Sequence, residues 1–298
     1  MSYVANTPAQ RQEMLAAIGL KMEDLFAVAR PELRAKSFNL PRGRSEMEVR
    51  SLMGGMAARN HSDLVCFLGG GFYDHFIPAA VDAVVSRAEF YTAYTPYQPE
   101  ASQGTLQAIY EFQSAIARLM GMDVANASLY DGGTALYEAM MMALRVTGRR
   151  KIIVDESVNP IYRKMLRSYT TNLSIEFHEA PTLGGRMDRG HVGRLLDDQT
   201  AGVIGQNPNF FGCVDDYSDV AEMTRKAGAL MICSCYPSSL GMLKPPGEMG
   251  ADIATAEGQC LGLPLCFGGP YLGLMATRRD LVRKMPGRIA GRARDRQG

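Results

Sequence analysis

KIIVDESVNPIYRKMLRSYTTNLSIEF, residues 151–177, decides the fold class of this chain. A short apolar run at 151–154 is followed by helical spacing over 161–169, and a second apolar run comes at 174–177. Further apolar runs stand at 202–205, 229–233, 252–255 and 271–276, with helical patterns at 134–147 and 217–227. Strands that alternate with helices in this way predict a mostly parallel sheet covered by helices on both faces.

Upstream, Ser102 is placed to cap a helix that carries Leu106, Ile109, Tyr110, Gln113, Ile116, Ala117 and Met120 on one face, with Gly121 after it. Two capping boxes mark earlier helices. Thr7-Pro8-Ala9-Gln10 opens one that Gly19 closes, and Ser45-Glu46-Met47-Glu48 opens another that is predicted to run to Asn60. Between 67 and 100 the chain is rich in Gly, Pro and Tyr without a sustained period, which predicts a long ordered loop region. The expected organisation is a helical segment over 1–66 and an α/β domain over 67–298. Residues 288–298 are basic and glycine-containing, and they finish neither a helix nor a domain.

Composition narrows the function classes. The 298 residues carry 32 Lys and Arg against 31 Asp and Glu, a net charge of +1. Such a balance sets up no field for gathering nucleic acid or an anionic membrane. No apolar run approaches the ~20 residues that crossing a bilayer needs. MSYVANTPAQRQEM has neither a basic start nor an apolar stretch, so no secretory signal is expected. Six cysteines, at 66, 213, 233, 235, 260 and 266, are scattered in mostly apolar surroundings, which fits core residues in a reducing cytoplasm better than disulfides. No metal-ligand spacing stands out.

Five segments could carry chemistry. In Leu68-Gly69-Gly70-Gly71-Phe72-Tyr73-Asp74-His75 the glycines allow close backbone approach and His75 could act as acid or base; a tight turn with a surface histidine explains the same letters. Residues 90–104, FYTAYTPYQPEASQG, combine stiff prolines with tyrosine, glutamine and glutamate groups that a core does not need, so the loop lines a site, a subunit interface, or both. Asp131-Gly132-Gly133-Thr134 starts a helix whose free amides could hold a phosphate; an aspartate-capped helix entry is the plainer reading. Gln206-Asn207-Pro208-Asn209-Phe210-Phe211-Gly212 follows a strand, where ligands sit in open α/β sheets, or is simply a turn. The glycines of 258–273 imply backbone packed on backbone or on a partner chain.

Several stretches together resemble one family: FLGGGFYDHFIP (67–78), EFYTAYTPYQPEASQGTLQAIYEFQ (89–113), MGMDVANASLYDGGTALYEA (120–139), QNPNFFG (206–212), KPPGEMGADI (244–253), GQCLGLPLCFGGPYLG (258–273) and MPGR (285–288). The family is the amino-terminal half of glycine decarboxylase, the P-protein of the glycine cleavage system, which in many bacteria is a separate α subunit. The resemblance implies the fold of PLP-dependent aminotransferases (fold type I), an α/β large domain. It also implies a chain cut short, because the family continues with a further segment and a small carboxyl-terminal domain.

The same resemblance implies a division of labour. The β half of the family carries the PLP lysine, and counting back five residues from Pro264 places Gln259 at that position. A glutamine amide cannot form the imine. The strand at 229–234, where a PLP enzyme normally holds an aspartate for the pyridine nitrogen, reads Met231-Ile232-Cys233-Ser234 near its end, without a carboxylate. Asn159, where the family commonly has histidine, Tyr236 and Thr255-Ala256 depart from the family pattern. The implied activity is decarboxylation of glycine by PLP on a β subunit, with the aminomethyl group passing to the lipoyl arm of H-protein. No catalytic residue is assigned to this chain. Tyr94, Thr95, Tyr97, Gln98, Glu100 and Gln103 are the candidates for walls of the partner's site or for interface. Two other readings remain at this point: a self-sufficient PLP enzyme of the same fold using Lys244 or another lysine, and a purely structural subunit.

Overall fold

A computed structural model describes residues 5–65, 67, 69–92, 94–294 and 296–297. Cys66, Leu68 and Ala93, which enter readings above, lie outside the described residues, as do residues 1–4, 295 and 298. The chain divides into two units, Met1–Cys66 and Phe67–Gly298.

In the first unit, α1 (Pro8–Ile18) and α2 (Glu46–Ala57) both start on the reciprocal bonds expected of them. Thr7 Oγ1 accepts from Gln10 N at 3.2 Å and Gln10 Oε1 from Thr7 N at 2.9 Å; Ser45 and Glu48 repeat the pattern. Gly19 closes α1 in the left-handed region. α2 ends at Ala57, short of the expected Asn60.

The second unit begins with α3 (Ala79–Val85) and α4 (Ala88–Tyr91), two short helices inside the stretch expected to be loop. Then follow α5 (Gln103–Leu119), β1 (Val124–Ala125), α6 (Gly132–Thr147), β2 (Lys151–Asp155), α7 (Pro160–Tyr169), β3 (Glu176–Ala180), β4 (Thr182–Leu183), β5 (Arg186–Met187), α8 (Arg189–Leu195), β6 (Thr200–Asn207), α9 (Ser218–Lys226), β7 (Leu230–Cys235), β8 (Ile253–Glu257) and β9 (Gly273–Thr277). Ser102 occupies the cap position of α5, but its side chain makes no capping bond.

Among the described residues the main sheet runs β1-β9-β8-β7-β6-β2-β3. β3, β2, β6, β7 and β8 are mutually parallel, and β9 is antiparallel to both β8 and β1. Side-chain alternation along the strands divides the core into two layers. Ile153, Met231, Cys233, Ala254 and Leu274 face α5, α8 and α9 through Ile116, Val192 and Val220. Ile152, Val154, Ile232, Ile253 and Met275 face α6 and α7 through Leu136, Met140 and Leu166. This is the mostly parallel sheet with helices on both faces that the sequence predicts, and it agrees with the fold type I large domain that the resemblance implies. β2, β6, β7 and β8 all deliver their carboxyl ends to one rim, the place where an open α/β sheet binds ligands.

Candidate functional site at the carboxyl rim of the sheet

β8 ends in Glu257, and that carboxylate organises the rim. Its Oε2 accepts from Gly132 N at 2.8 Å, at the first residue of α6, while Oε1 accepts from Gln259 N at 3.0 Å and Leu272 N at 3.2 Å. Glu257 is 4% exposed. Burial pushes its carboxyl above the usual range, against three backbone N–H groups that hold it down. The glycine at 132 is required here: a Cβ on it would lie 2.6 Å from the Tyr162 hydroxyl and 2.8 Å from Glu257 Cβ. A Cβ on Gly273 would lie 2.5 Å from Asp131 O. Glycine thus lets α6 start directly against β8 and β9. Asp131 Oδ1 takes Thr134 N at 2.8 Å, so α6 has the aspartate-capped entry.

Gln259 stands two residues beyond Glu257, in a short 3-10 turn, and is 1% exposed. Its Nε2 donates to Leu263 O at 2.7 Å, which fixes the amide orientation because a carbonyl can only accept. The opposite atom, Oε1, is buried without a partner among the described residues, as is Thr255 Oγ1. On β7, Cys233 and Cys235 are buried, and burial raises both thiols, Cys233 to about 12. At the other end of β7, Asp252 Oδ2 accepts from Met231 N at 2.7 Å.

The segment before α3 crosses the same rim. His75 Nε2 lies 2.5 Å from the Tyr236 hydroxyl, Asn159 Nδ2 donates to Gly70 O at 3.0 Å, and Phe72 stacks on Tyr271 with ring centres 4.7 Å apart. His75 is therefore half-buried against a partner, which sets aside the surface-histidine alternative of the two readings the sequence left open. The 206–212 segment spends its polar groups on its own turn and on neighbouring segments: Asn209 Oδ1 accepts from Phe211 N and Cys213 N, each at 3.0 Å, its Nδ2 donates to Gly185 O at 2.7 Å, and Gln206 Oε1 accepts from Asn159 N at 2.9 Å.

The loop candidates stand mostly at the surface. Tyr94, Tyr97, Gln98, Glu100 and Gln103 are exposed and Thr95 is half-buried. Gln103 Nε2 reaches back to Pro99 O at 2.7 Å, and the Arg288 guanidinium lies 4.7 Å from the centre of the Tyr97 ring. Lys244 is half-exposed and paired with Asp216 at 3.1 Å and Ser218 at 2.9 Å. Of the described cysteines, Cys213 and Cys260 are half-buried and Cys266 is exposed, so the reading of cysteines as core residues holds for Cys233 and Cys235 only. All five are free. The described residues hold no cluster fit for a metal ion and no helix long and apolar enough to cross a membrane. Sequence reading missed Glu257 altogether.

The family description "Glycine cleavage system P-protein" matches residues 1–298. A protein of Maridesulfovibrio salexigens named "Probable glycine dehydrogenase (decarboxylating) subunit 1" is 60% identical over all of this chain and 68% of its own length. The chain belongs to the glycine cleavage system P-protein family. A second P-protein relative, from Nitratidesulfovibrio vulgaris, has the same name and is 57% identical with the same coverage. The crystal structure of a glycine decarboxylase P-protein in inhibitor-bound form superposes with a TM-score of 0.93 at 43% identity, over 100% of this chain and 68% of that one. A sphingosine-1-phosphate lyase of Burkholderia pseudomallei shares the fold, with a TM-score of 0.60 at 15% identity over 85% of this chain and 63% of its own.

P-protein chains have the fold of PLP enzymes, so the rim can be tested for fit to that coenzyme. It does not fit. Gly132 N and Thr134 N, amides that could meet a phosphate, are taken by Glu257 and Asp131. Gln259, where the resemblance led one to expect the lysine position, is an amide that cannot form an imine, and its buried Oε1 has no partner among the described residues. The end of β7 supplies thiols and Ser234 in place of a carboxylate.

Proposed function

We propose that this chain is the α-type subunit of a glycine decarboxylase, an oxidoreductase of the glycine cleavage system, and that it serves the complex without anchoring PLP. Under this reading the β subunit holds the coenzyme, glycine is the substrate, and lipoylated H-protein receives the aminomethyl group. No nucleic acid or membrane partner is involved, and the complex works in the cytoplasm. Gln259 carries the reading: the residue in the lysine position is a buried amide whose donor already serves Leu263. Lys244 makes a poor substitute, since its ammonium is paired with Asp216 on the surface.

The exposed loop residues Tyr94, Tyr97, Gln98 and Glu100 have no task in the core, which supports their facing the partner or its site. Glycine–bicarbonate exchange tests the proposal. It should require both subunits, and borohydride treatment should trap pyridoxyl-lysine only on peptides of the partner. Exchange by this chain alone at the rate of the complex, or a pyridoxyl-lysine on any of its peptides, would overturn it. Tyr97→Phe and Gln98→Ala should lower exchange while stability changes by about 1 kcal/mol or less. Unchanged exchange with assembly intact would reduce the loop to interface.

A further inference from the structure

We infer that Glu257 is a built-in anion that takes the phosphate position at the start of α6, so that this half of the fold is closed to a phosphorylated ligand by occupation and not merely by loss of a lysine. The amino end of a helix attracts an anion through its free N–H groups and its dipole. Here an anion is already present and is covalently part of β8. Its two oxygens receive three N–H groups from three separate segments: Gly132 on α6, Gln259 after β8, and Leu272 before β9. An acceptor-only set of bonds from backbone donors is what an ionised group wants, whether carboxylate or phosphate.

The space around it is also filled by the chain itself. Gly132 is so closely packed that even a methyl would meet Tyr162 and Glu257, and a methyl on Gly133 would lie 2.5 Å from Met165 Sδ. Tyr162 is 7% exposed and points its hydroxyl at this corner. A phosphate is larger than a carboxylate and carries more charge, so it could enter only by displacing Glu257, against Coulomb repulsion at close range. The free carbonyl end of Gln259 would add to that repulsion.

The inference rests on the reading of this chain as the half that does not anchor the coenzyme, and it goes further: restoring the amine should not restore binding. The test uses the full-length chain, alone and assembled with its partner, in three forms: Gln259→Lys, Glu257→Ala, and the two combined. Each is incubated with pyridoxal 5′-phosphate or with unphosphorylated pyridoxal, reduced with borohydride, and mapped by peptide mass spectrometry. Gln259→Lys alone should give no adduct at position 259, whereas the double variant should give one with the phosphorylated aldehyde and far less with pyridoxal.

Inorganic phosphate supplies an independent readout. Glu257→Ala should bind it on the order of tenfold or more tighter than the wild type, seen as a larger rise in melting temperature with phosphate than with chloride at equal ionic strength. A ligand that binds only the folded form also rescues a weakened variant, so the measurement survives some loss of stability. An adduct at position 259 in the single Gln259→Lys variant overturns the occupation argument and leaves the proposed function standing. An equal phosphate response of wild type and Glu257→Ala overturns it as well. A pyridoxyl-lysine on the wild-type chain overturns the proposed function instead.

Discussion

Asp155, at the end of β2, is fully buried and its carboxylate accepts from Ser157, from Oγ at 2.5 Å and from N at 3.1 Å. Burial raises its carboxyl above the usual range, outweighing the Ser157 bonds. A carboxyl raised on folding contributes stability that is complete below its unfolded pKa and is lost as pH rises through the folded value. The amide of Asp155→Asn does not titrate. The cost of Asp155→Asn should therefore be largest in acid, from about pH 4, and shrink toward neutral pH. Urea midpoints of both proteins across that range measure it. A cost that grows with pH would show that the folded protein prefers the charged form. Asp252 and Glu257 are raised by burial too and act in the same direction.

At the scale of elements, the end of α5 is locked to a loop that comes much later in the chain. Gly247 N donates to Met120 O at 3.0 Å, and a Cβ on Gly247 would lie 1.8 Å from Gly121 O. The obstacle is backbone, so Gly247→Ala should force two loops apart and cost about 3 kcal/mol or more. Gly148, which closes α6 with φ +71, has open space around it. Gly148→Ala should cost only the left-handed backbone penalty, roughly 1–2 kcal/mol. Unfolding of the three proteins in urea ranks them, and equal costs would mean that the 245–250 loop yields freely. What the sequence made legible among these elements follows locality. The capping boxes at Thr7 and Ser45 were readable because both partners lie three residues apart. The strands β2, β6, β7 and β8 were readable because burial on both faces leaves unbroken apolar runs. β3 is a wet edge strand, Glu176–Ala180, whose polar letters displaced the expected run at 174–177. α3 and α4 are too short to show a period. Glu257 was illegible for a different reason: a glutamate closing a strand looks like a solvent-facing end, and its Gly132 partner is 125 residues away.

On the scale of the whole second unit, the described residues 285–294 carry no helix or strand, yet the part up to Ala290 is held by hydrogen bonds. Gln113 on α5 clasps Ala290 from both sides, Nε2 donating to its O at 3.0 Å and Oε1 accepting from its N at 2.9 Å. Asn126 Nδ2 donates to Pro286 O at 3.0 Å and Ala127 N to Arg288 O at 2.8 Å. The basic tail thus forms no regular element, as its sequence predicts, and is still bonded to the domain as far as Ala290. Gln113→Ala should free the strap, so that limited trypsin cuts faster after Arg288, Arg292 and Arg294 while global stability drops by only about 1–2 kcal/mol. Unchanged cleavage would mean that Asn126 and Ala127 suffice. The clasp also sets a timetable for birth on the ribosome. Gln113 must wait for a residue 177 positions later. At the usual pace of translation that is roughly 10–35 s. For that interval the nascent α5 has no clasp, and until Thr277 is made it has no β9 beside β1 either, so its Ile116 and Ala117 face is available to chaperones and to neighbouring nascent chains.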